Sequence, residues 1–341
     1  SPAVPIDWSR LGYVQGHNEA VAIRPEVMES IKNFYKQNPE DAVREFGENP
    51  YELKNILKYW VRSPKEGLQM IPTDSIVIKL DKEAIKRSGM MIPDSLHGEI
   101  PEYMNISLKG KRMLYKSELM MLEMLANANW ERPIYMAITV GSENHLGMDN
   151  HFVQEGLAYR FTPFETDKLN SKIDSEKMYD NLMNKFKFGG IDKPGIYIDE
   201  NVMRMCYTHR RIFTQLVGQL IKEGKKDKAL AALDYAEKMI PSSNVPYDWA
   251  NGAFQMAEAY YQLGQTEKAN KIIDELANKS LEYMVWYLSL TDYQLSIASE
   301  NFMYNAGLLD AEVRLMEKYK SEELAKHYSE QLDQLYNEYV T

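Results

Sequence analysis

The chain has 341 residues, of which 44% are hydrophobic and 26% are charged, an ordinary balance for a soluble globular protein with room for two domains. Its formal net charge of -10 argues against a nucleic-acid partner, which would need a basic surface. The single cysteine excludes an internal disulfide and a multi-cysteine zinc site, and no apolar run reaches the length that crosses a bilayer.

The first half of the chain predicts a mixture of helices and strands. Pro25 opens the first helix, and Gly47 and Gly89 end two later ones. The predicted helices lie at 25–37, 39–47, 49–63, 81–89 and 115–129. The predicted strands lie at 20–24, 75–80, 103–109, 133–140 and 157–162.

The segments at 103–109, 115–129 and 133–140 follow one another as strand, helix and strand, which predicts a parallel right-handed unit. We expect the strands from 75–80 onward to form one small sheet with helices packed on it. Residues 1–198 are therefore predicted to be a mixed α/β domain.

The helix-to-strand junction "NWERPIY" places a large aromatic, an acid and a base next to a proline. We expect Trp130 to bury its ring between helix and sheet. We also expect Arg132 to pair with Glu131 or with a carboxylate near "GLAYR".

From Asp199 onward the sequence predicts almost only helix, and two segments of it match each other. Gly224 aligns with Gly264 and Ala229 with Ala269, which gives a 40-residue period. A helix, a glycine turn and a second helix are typical of tetratricopeptide repeats, whose usual period is about 34 residues. The excess is expected in "SSNVPYDW", and three closing helices follow. Residues 199–341 are predicted to be an all-α, tetratricopeptide-like domain, with a generic helical hairpin array as the alternative.

One loop combines residue types that can bind a metal: Glu143, His145, Asp149 and His151. The histidines are not spaced four apart on a helix and no "HExxH" is present, so a polar loop is favoured and no metal is predicted.

Other candidate catalytic groups are equally weak. Asp149, Glu155 and Asp199 could serve as glycosidase carboxylates, but 50 acidic residues give no basis for choosing a pair, and Asp199 more simply caps the next helix. Cys206 and His209 could form a nucleophile, but their helix is rich in methionine and tyrosine and core packing is favoured. No catalytic residue and no cofactor are predicted.

The order of several motifs carries a resemblance. "NANWERPIYMAITVG", "LGMDNHFVQEGLAYRFTPF" and "YDNLMNKFKFGGIDKPGIYIDENVMRM" precede the repeat segment. This order resembles the C-terminal soluble region of a bacterial family of multi-pass membrane proteins of unknown function. The membrane half of that family is similar to protein O-mannosyltransferases, which transfer sugar from a polyprenyl-phosphate donor.

The resemblance implies that the catalytic acid belongs to the membrane half, so that this chain is a non-catalytic, soluble domain. It would lie at the periplasmic face of a bacterial inner membrane, tethered by an N-terminal membrane region, and the start "SPAVPIDW" fits a piece of a longer protein. Its implied partners are that membrane half and an acceptor protein or peptide. The alternatives are an independent glycan-acting hydrolase or transferase, and a purely structural interaction module.

A groove for an extended peptide is predicted along the first helix of each repeat, because that helix lines the concave side of a tetratricopeptide stack. The alternative is that the closing helices or the α/β domain fill this groove. The groove-facing residues are predicted to be Arg211, Thr214, Gly218, Ile221, Lys222, Asn251, Phe254, Glu258, Tyr261 and Gln262.

Overall fold

The computed structural model describes residues 20–65 and 67–341. It divides into two compact units, of which one ends at Asp174 and the other spans Ser175–Thr341. Residues 175–198, which the sequence analysis grouped with the first domain, lie in the second unit by this division. A domain boundary at residue 198 would mean that residues 199–341 fold without residues 175–198, and this stays a prediction.

The first unit combines short strands with helices. Its strands are β1 (Ala20–Ile23), β2 (Met70–Ile71), β3 (Ser75–Lys79), β4 (Tyr103–Ser107), β5 (Met113–Tyr115), β6 (Tyr135–Ala137), β7 (Phe152–Gln154) and β8 (Ala158–Phe161). Its helices are α1 (Val27–Gln37), α2 (Pro39–Phe46), α3 (Leu53–Asn55), which continues as a π-helical turn over Ile56–Val61, α4 (Lys82–Arg87) and α5 (Lys116–Ala128).

The predicted fold class, small sheets with helices followed by an all-helical region, is confirmed, but the grouping of the strands into one sheet is wrong. The strands form three small sheets, ordered β2-β1-β5, β3-β4 and β6-β8-β7. The parallel strand–helix–strand unit is also wrong, because β4 pairs antiparallel with β3 and β6 pairs antiparallel with β8. A turn at Gly110, whose φ is 84°, leads from β4 into β5, which pairs with β1 directly before α5 begins.

The core of the first unit lies between these sheets and α5. Leu119 and Leu122 of α5 are buried in the same cluster as Ile76 of β3 and Ile106 of β4. The side chain of Glu123 is also fully buried on α5, where burial raises the pKa of its carboxyl and an ion pair with Arg62 opposes that shift.

The second unit consists of helices and the loops that connect them, and no strand occurs in residues 175–341. Its helices are α6 (Ser175–Asp180), followed by a π-helical turn over Asn181–Lys185, α7 (Glu200–Lys222), α8 (Lys226–Met239), α9 (Ala253–Gln262), α10 (Thr266–Leu288), α11 (Asp292–Lys318) and α12 (Glu322–Val340).

The 40-residue sequence repeat corresponds to two similar helical hairpins, α7–α8 and α9–α10. Gly224 and Gly264 both have a φ of 74°, which favours glycine, and each closes the turn of its hairpin. Ala229 and Ala269 are both fully buried, so the second helix of each hairpin can pack closely against the first. The assignment of these hairpins to the tetratricopeptide family stays a prediction.

A buried arginine fixes the extra residues between the two hairpins. The guanidinium of Arg210 on α7 donates hydrogen bonds to the carbonyl oxygens of Ile240 (3.1 Å), Val245 (2.7 Å) and Pro246 (3.1 Å). Its carbon lies 5.0 Å from the ring centroid of Tyr247. The segment that lengthens the repeat is therefore bound to the first helix of the stack.

Candidate functional site

The four residues weighed as metal ligands do not converge. His145 and Asp149 are brought together, with 2.8 Å between Nδ1 and Oδ1, whereas Nδ1 of His151 lies 3.1 Å from the carbonyl oxygen of Thr162. Within residues 20–65 and 67–341, no group of three or more histidine, cysteine or acidic side chains could hold a metal ion.

The other candidate catalytic groups have structural surroundings. Asp199 caps α7, since its Oδ1 accepts hydrogen bonds from the backbone nitrogens of Asn201 (2.8 Å) and Val202 (3.0 Å). Burial raises the pKa of the Cys206 thiol, which makes it a poorer nucleophile. Nδ1 of His209 lies 2.7 Å from the carbonyl oxygen of Met205, one turn earlier on the same helix.

Trp130 connects the end of α5 to two sheets. Its ring is half-buried and stacks on Phe161 of β8, with 5.9 Å between ring centroids. Its Nε1 donates a hydrogen bond of 3.2 Å to the carbonyl oxygen of Lys79 at the end of β3. Asn129 and Trp130 both have positive φ angles, 47° and 63°, so the chain reverses direction here without a glycine.

The expected pairing of Arg132 is wrong. Arg132 is exposed and has no ion pair in the part of the chain that the structure describes. The buried ion pair here joins Arg160 of "GLAYR" to Glu155, 3.6 Å apart, and the hydroxyl of Tyr135 donates a 2.7 Å hydrogen bond to Glu155. Tyr135 and Arg160 are direct neighbours in the β6–β8 register, so the two motifs of the resemblance meet in one polar cluster that stabilises this sheet.

The predicted groove residues occupy different environments on α7 and α9. Arg211 and Lys222 on α7 are exposed. Three residues at or on α9 are partly exposed: Asn251, Phe254 and Glu258. Thr214 is buried next to Gly252, where an added Cβ would lie 3.2 Å from the Cα of Arg211. The first helices of the two hairpins therefore pack directly against each other.

The end of α11 covers the C-terminal part of that predicted groove. Tyr261 is buried, its ring stacks on Tyr319 at 4.8 Å, and its hydroxyl donates a 2.6 Å hydrogen bond to Asn270. Glu258 forms an ion pair of 2.8 Å with Lys318. The binding of a partner to the remaining α7–α9 surface stays a prediction.

A different opening lies on α10, and we call it the α10 groove. A cavity of about 890 Å³ is bounded on one side by Pro246 and Tyr247. A second cavity of about 770 Å³ shares Lys271 and Asp274 with the first and is bounded by residues 320–327. Lining side chains recur every three or four residues on one helical face: Glu267, Lys271, Asp274, Glu275, Asn278, Glu282, Tyr283 and Trp286.

The α10 groove is acidic, with aromatic side chains at one end. One of its lysines has an anionic and a carbonyl neighbour: Nζ of Lys279 lies 3.6 Å from Asp248 and 3.4 Å from the carbonyl oxygen of Tyr247. Its acidic side chains outnumber the basic ones, Glu267, Asp274, Glu275, Glu282, Glu322 and Glu323 against Lys271, Lys279 and Lys320.

Comparison with known proteins places the chain in one family. A family model described as TMEM260-associated domain 2 matches residues 1–178. No curated protein and no solved structure matches the chain significantly. None of the described helices combines the length and the apolar composition that crossing a membrane requires.

Proposed function

The chain belongs to the TMEM260-associated domain 2 family, and from this premise we propose that it is a non-catalytic domain of a membrane protein that binds a polypeptide through its helical unit. In this proposal the membrane half is a protein O-mannosyltransferase-like glycosyltransferase. The domain lies on the extracytoplasmic side, and the polypeptide is the acceptor protein or a partner of the enzyme. The motif order described above supports this finer assignment.

The α10 groove is the observation that carries the proposal. The groove-lining face runs from Glu267 to Trp286, which corresponds to about 30 Å of helix and to about nine residues of an extended peptide. Carboxylates and the amide of Asn278 can bind the backbone of such a peptide, and the exposed rings of Tyr283 and Trp286 can pack on its side chains. The excess of acidic residues favours a peptide with lysine or arginine.

Panning a displayed peptide library on the purified chain tests this function, with affinities then measured by fluorescence anisotropy. We expect enriched peptides to combine basic and aromatic residues. The variant Glu275→Lys/Glu282→Lys, at two exposed groove positions, should weaken their binding roughly tenfold or more, because like charges then face each other.

The matched control is Glu317→Lys/Glu338→Lys, which changes the net charge equally at exposed positions that do not line the groove. Equal affinity for the two variants would place the binding elsewhere and contradict the proposal. The purified chain should release no sugar from aryl glycosides, and turnover abolished by changing one carboxylate would favour the hydrolase alternative.

A further inference from the structure

The end of the α10–α11 hairpin carries a cluster of exposed apolar side chains. We call residues 283–297, which include the last turns of α10 and the first turns of α11, the hairpin tip. Tyr293 is 76% exposed, Ile297 68%, Trp286 54%, Val285 51% and Tyr283 46%. A set of large side chains this exposed, gathered at one end of a hairpin, is typical of an interaction surface.

The hairpin tip is almost free of charge. Between Glu282 and Glu300 the only charged residue is Asp292, at the first position of α11, where a helix favours a negative charge. Thr291 and Gln294 form a capping box there, so backbone nitrogens at the start of α11 have hydrogen-bond acceptors. The tip therefore presents mainly rings and aliphatic groups on a locally well-bonded backbone.

The tip projects beyond the neighbouring helices of its unit. The ring of Tyr339, near the end of α12, stacks on Phe302 at 4.2 Å, so α12 ends about two and a half turns short of the start of α11. On the other side, the segment before α9 reaches α10 at Lys279, whose Nζ contacts Tyr247 and Asp248. Tyr283 and Trp286 border the α10 groove as well, whereas Tyr293 and Ile297 line neither of its cavities. The α11 side of the tip is thus a projecting end, which fits a flat apolar boundary better than it fits a peptide.

We propose that the hairpin tip inserts into the interfacial region of a lipid bilayer. The proposal rests on the proposed function in one respect, that this is a domain of a membrane protein. Tyrosine and tryptophan prefer that region because an apolar ring carries a polar O–H or N–H that stays hydrated. The chain's net charge of -10 means that insertion depends on apolar contact and gains nothing from anionic lipids.

Flotation of the purified 341-residue chain with lipid vesicles tests the insertion. We expect binding to phosphatidylcholine vesicles, no increase when phosphatidylserine is included, and little change between low and high salt. Tyr293→Ser/Ile297→Ser, which alters the two most exposed tip residues and spares the α10 groove, should weaken binding roughly tenfold or more. The matched control Tyr197→Ser/Met205→Ser removes apolar side chains that are 92% and 62% exposed elsewhere in the helical unit and should bind as the unaltered chain does.

Three results would overturn the insertion: no binding to phosphatidylcholine, equal binding by both variants, or binding only to anionic vesicles. Sedimentation velocity tests whether a second copy of the chain covers the tip instead. If the unaltered chain forms a dimer but does not bind vesicles, and Tyr293→Ser/Ile297→Ser abolishes that dimer, the tip is a dimer interface. Peptide binding is measured separately with the groove variants. Vesicle binding without peptide binding would therefore support the insertion and reject the proposed peptide binding. Peptide binding without vesicle binding would support the proposed function and reject the insertion.

Discussion

At the scale of single residues, Arg210 is a buried cation whose guanidinium donates three hydrogen bonds to backbone carbonyl oxygens. Burial lowers its pKa, and the nearby rings of Tyr207 and Tyr247 oppose that shift. A planar guanidinium can reach three carbonyls at once, which a lysine ammonium on a flexible stem does less well. We infer that Arg210 holds the inserted segment in place.

Replacing Arg210 by alanine should therefore lower the free energy of unfolding by about 3 kcal/mol, because three carbonyl oxygens lose a charged donor. Arg210→Lys should recover only part of this loss. Arg211→Ala, at the adjacent and exposed position, is the control and should change little. Urea unfolding monitored by circular dichroism measures all three, and equal midpoints for Arg210→Ala and Arg211→Ala would exclude the proposed role.

Glu312 on α11 is the residue from which we expect a pH dependence. Its side chain is fully buried, and its Oε2 has no hydrogen-bond partner among the described residues. Its Oε1 accepts a long hydrogen bond of 3.4 Å from the hydroxyl of Ser280. Burial raises the pKa of this carboxyl to about 8. From α12, the hydroxyl of Tyr328 lies near it but donates its hydrogen bond to Asp274.

The pKa of Glu312 is higher in the folded chain than in the unfolded chain. Its contribution to the free energy of unfolding is therefore fully present below about pH 4.5 and is lost as the pH rises to about 8. The loss at pH 7 is about 3 kcal/mol. Glu312→Gln, which cannot ionise, should be more stable than the unaltered chain at pH 8 and similar to it at pH 4.5. Urea midpoints across this range measure the difference, and parallel pH profiles for the two proteins would contradict it; Glu317→Gln is the exposed control.

At the scale of elements, the α9 helix carries both a core and a surface aromatic. Tyr261 is buried against Tyr319, whereas Phe254 is half-exposed and lies 5.1 Å from the ring of Trp249. Tyr261→Ala should cost about 3–5 kcal/mol because it leaves a cavity under α11. Tyr261→Phe keeps the ring and should cost about 1 kcal/mol for the lost hydrogen bond to Asn270.

Phe254→Ala should cost clearly less than Tyr261→Ala, since part of its ring already contacts water. Thermal unfolding of the three single variants measures these differences. A Phe254→Ala midpoint as low as that of Tyr261→Ala would mean that the whole predicted α7–α9 groove is core.

The helical hairpins could be predicted from sequence because their signals are local. Gly224 and Gly264 each mark a turn within a few residues of the helices that they connect. Strand pairing is not local, so β3 and β6 were identified as strands while their partners and sheets were not. β5, with only three residues, gives too short a pattern to detect, although it places α5 in the core.

The candidate site was predicted less well than the helices, for a related reason. The exposure of one face of α10 depends on where the segment at Pro246 and the start of α12 lie, which no spacing within α10 reveals. The prediction that α7 and α9 line an open groove assumed a regular stack. The end of α11 covers Tyr261 instead, because the closing helices fold back over the second hairpin.

At the scale of the whole molecule, residues 175–198, which end the first predicted domain, pack on the helical hairpins. Met178 and Leu182 are fully buried, and Phe188 stacks on Phe213 of α7 with 6.3 Å between ring centroids. Glu176 on α6 forms ion pairs with Lys225 (2.8 Å) and Lys228 (2.6 Å), and the hydrogen bonds from these two lysines lower the pKa of the Glu176 carboxyl. Residues 175–198 are therefore expected to belong to the folding unit of the helices.

Two fragments of the chain test this expectation directly. A fragment of residues 199–341 lacks the buried side chains of Met178, Leu182 and Phe188, and each such side chain contributes about 1.5–3 kcal/mol. It should therefore be roughly 5 kcal/mol less stable than a fragment of residues 175–341, a loss comparable to the whole stability of many domains. Urea unfolding should show a cooperative transition for the longer fragment and little or none for the shorter. Met178→Ala/Leu182→Ala in the longer fragment should reproduce much of the loss, and equal midpoints for the two fragments would instead support a boundary at residue 198.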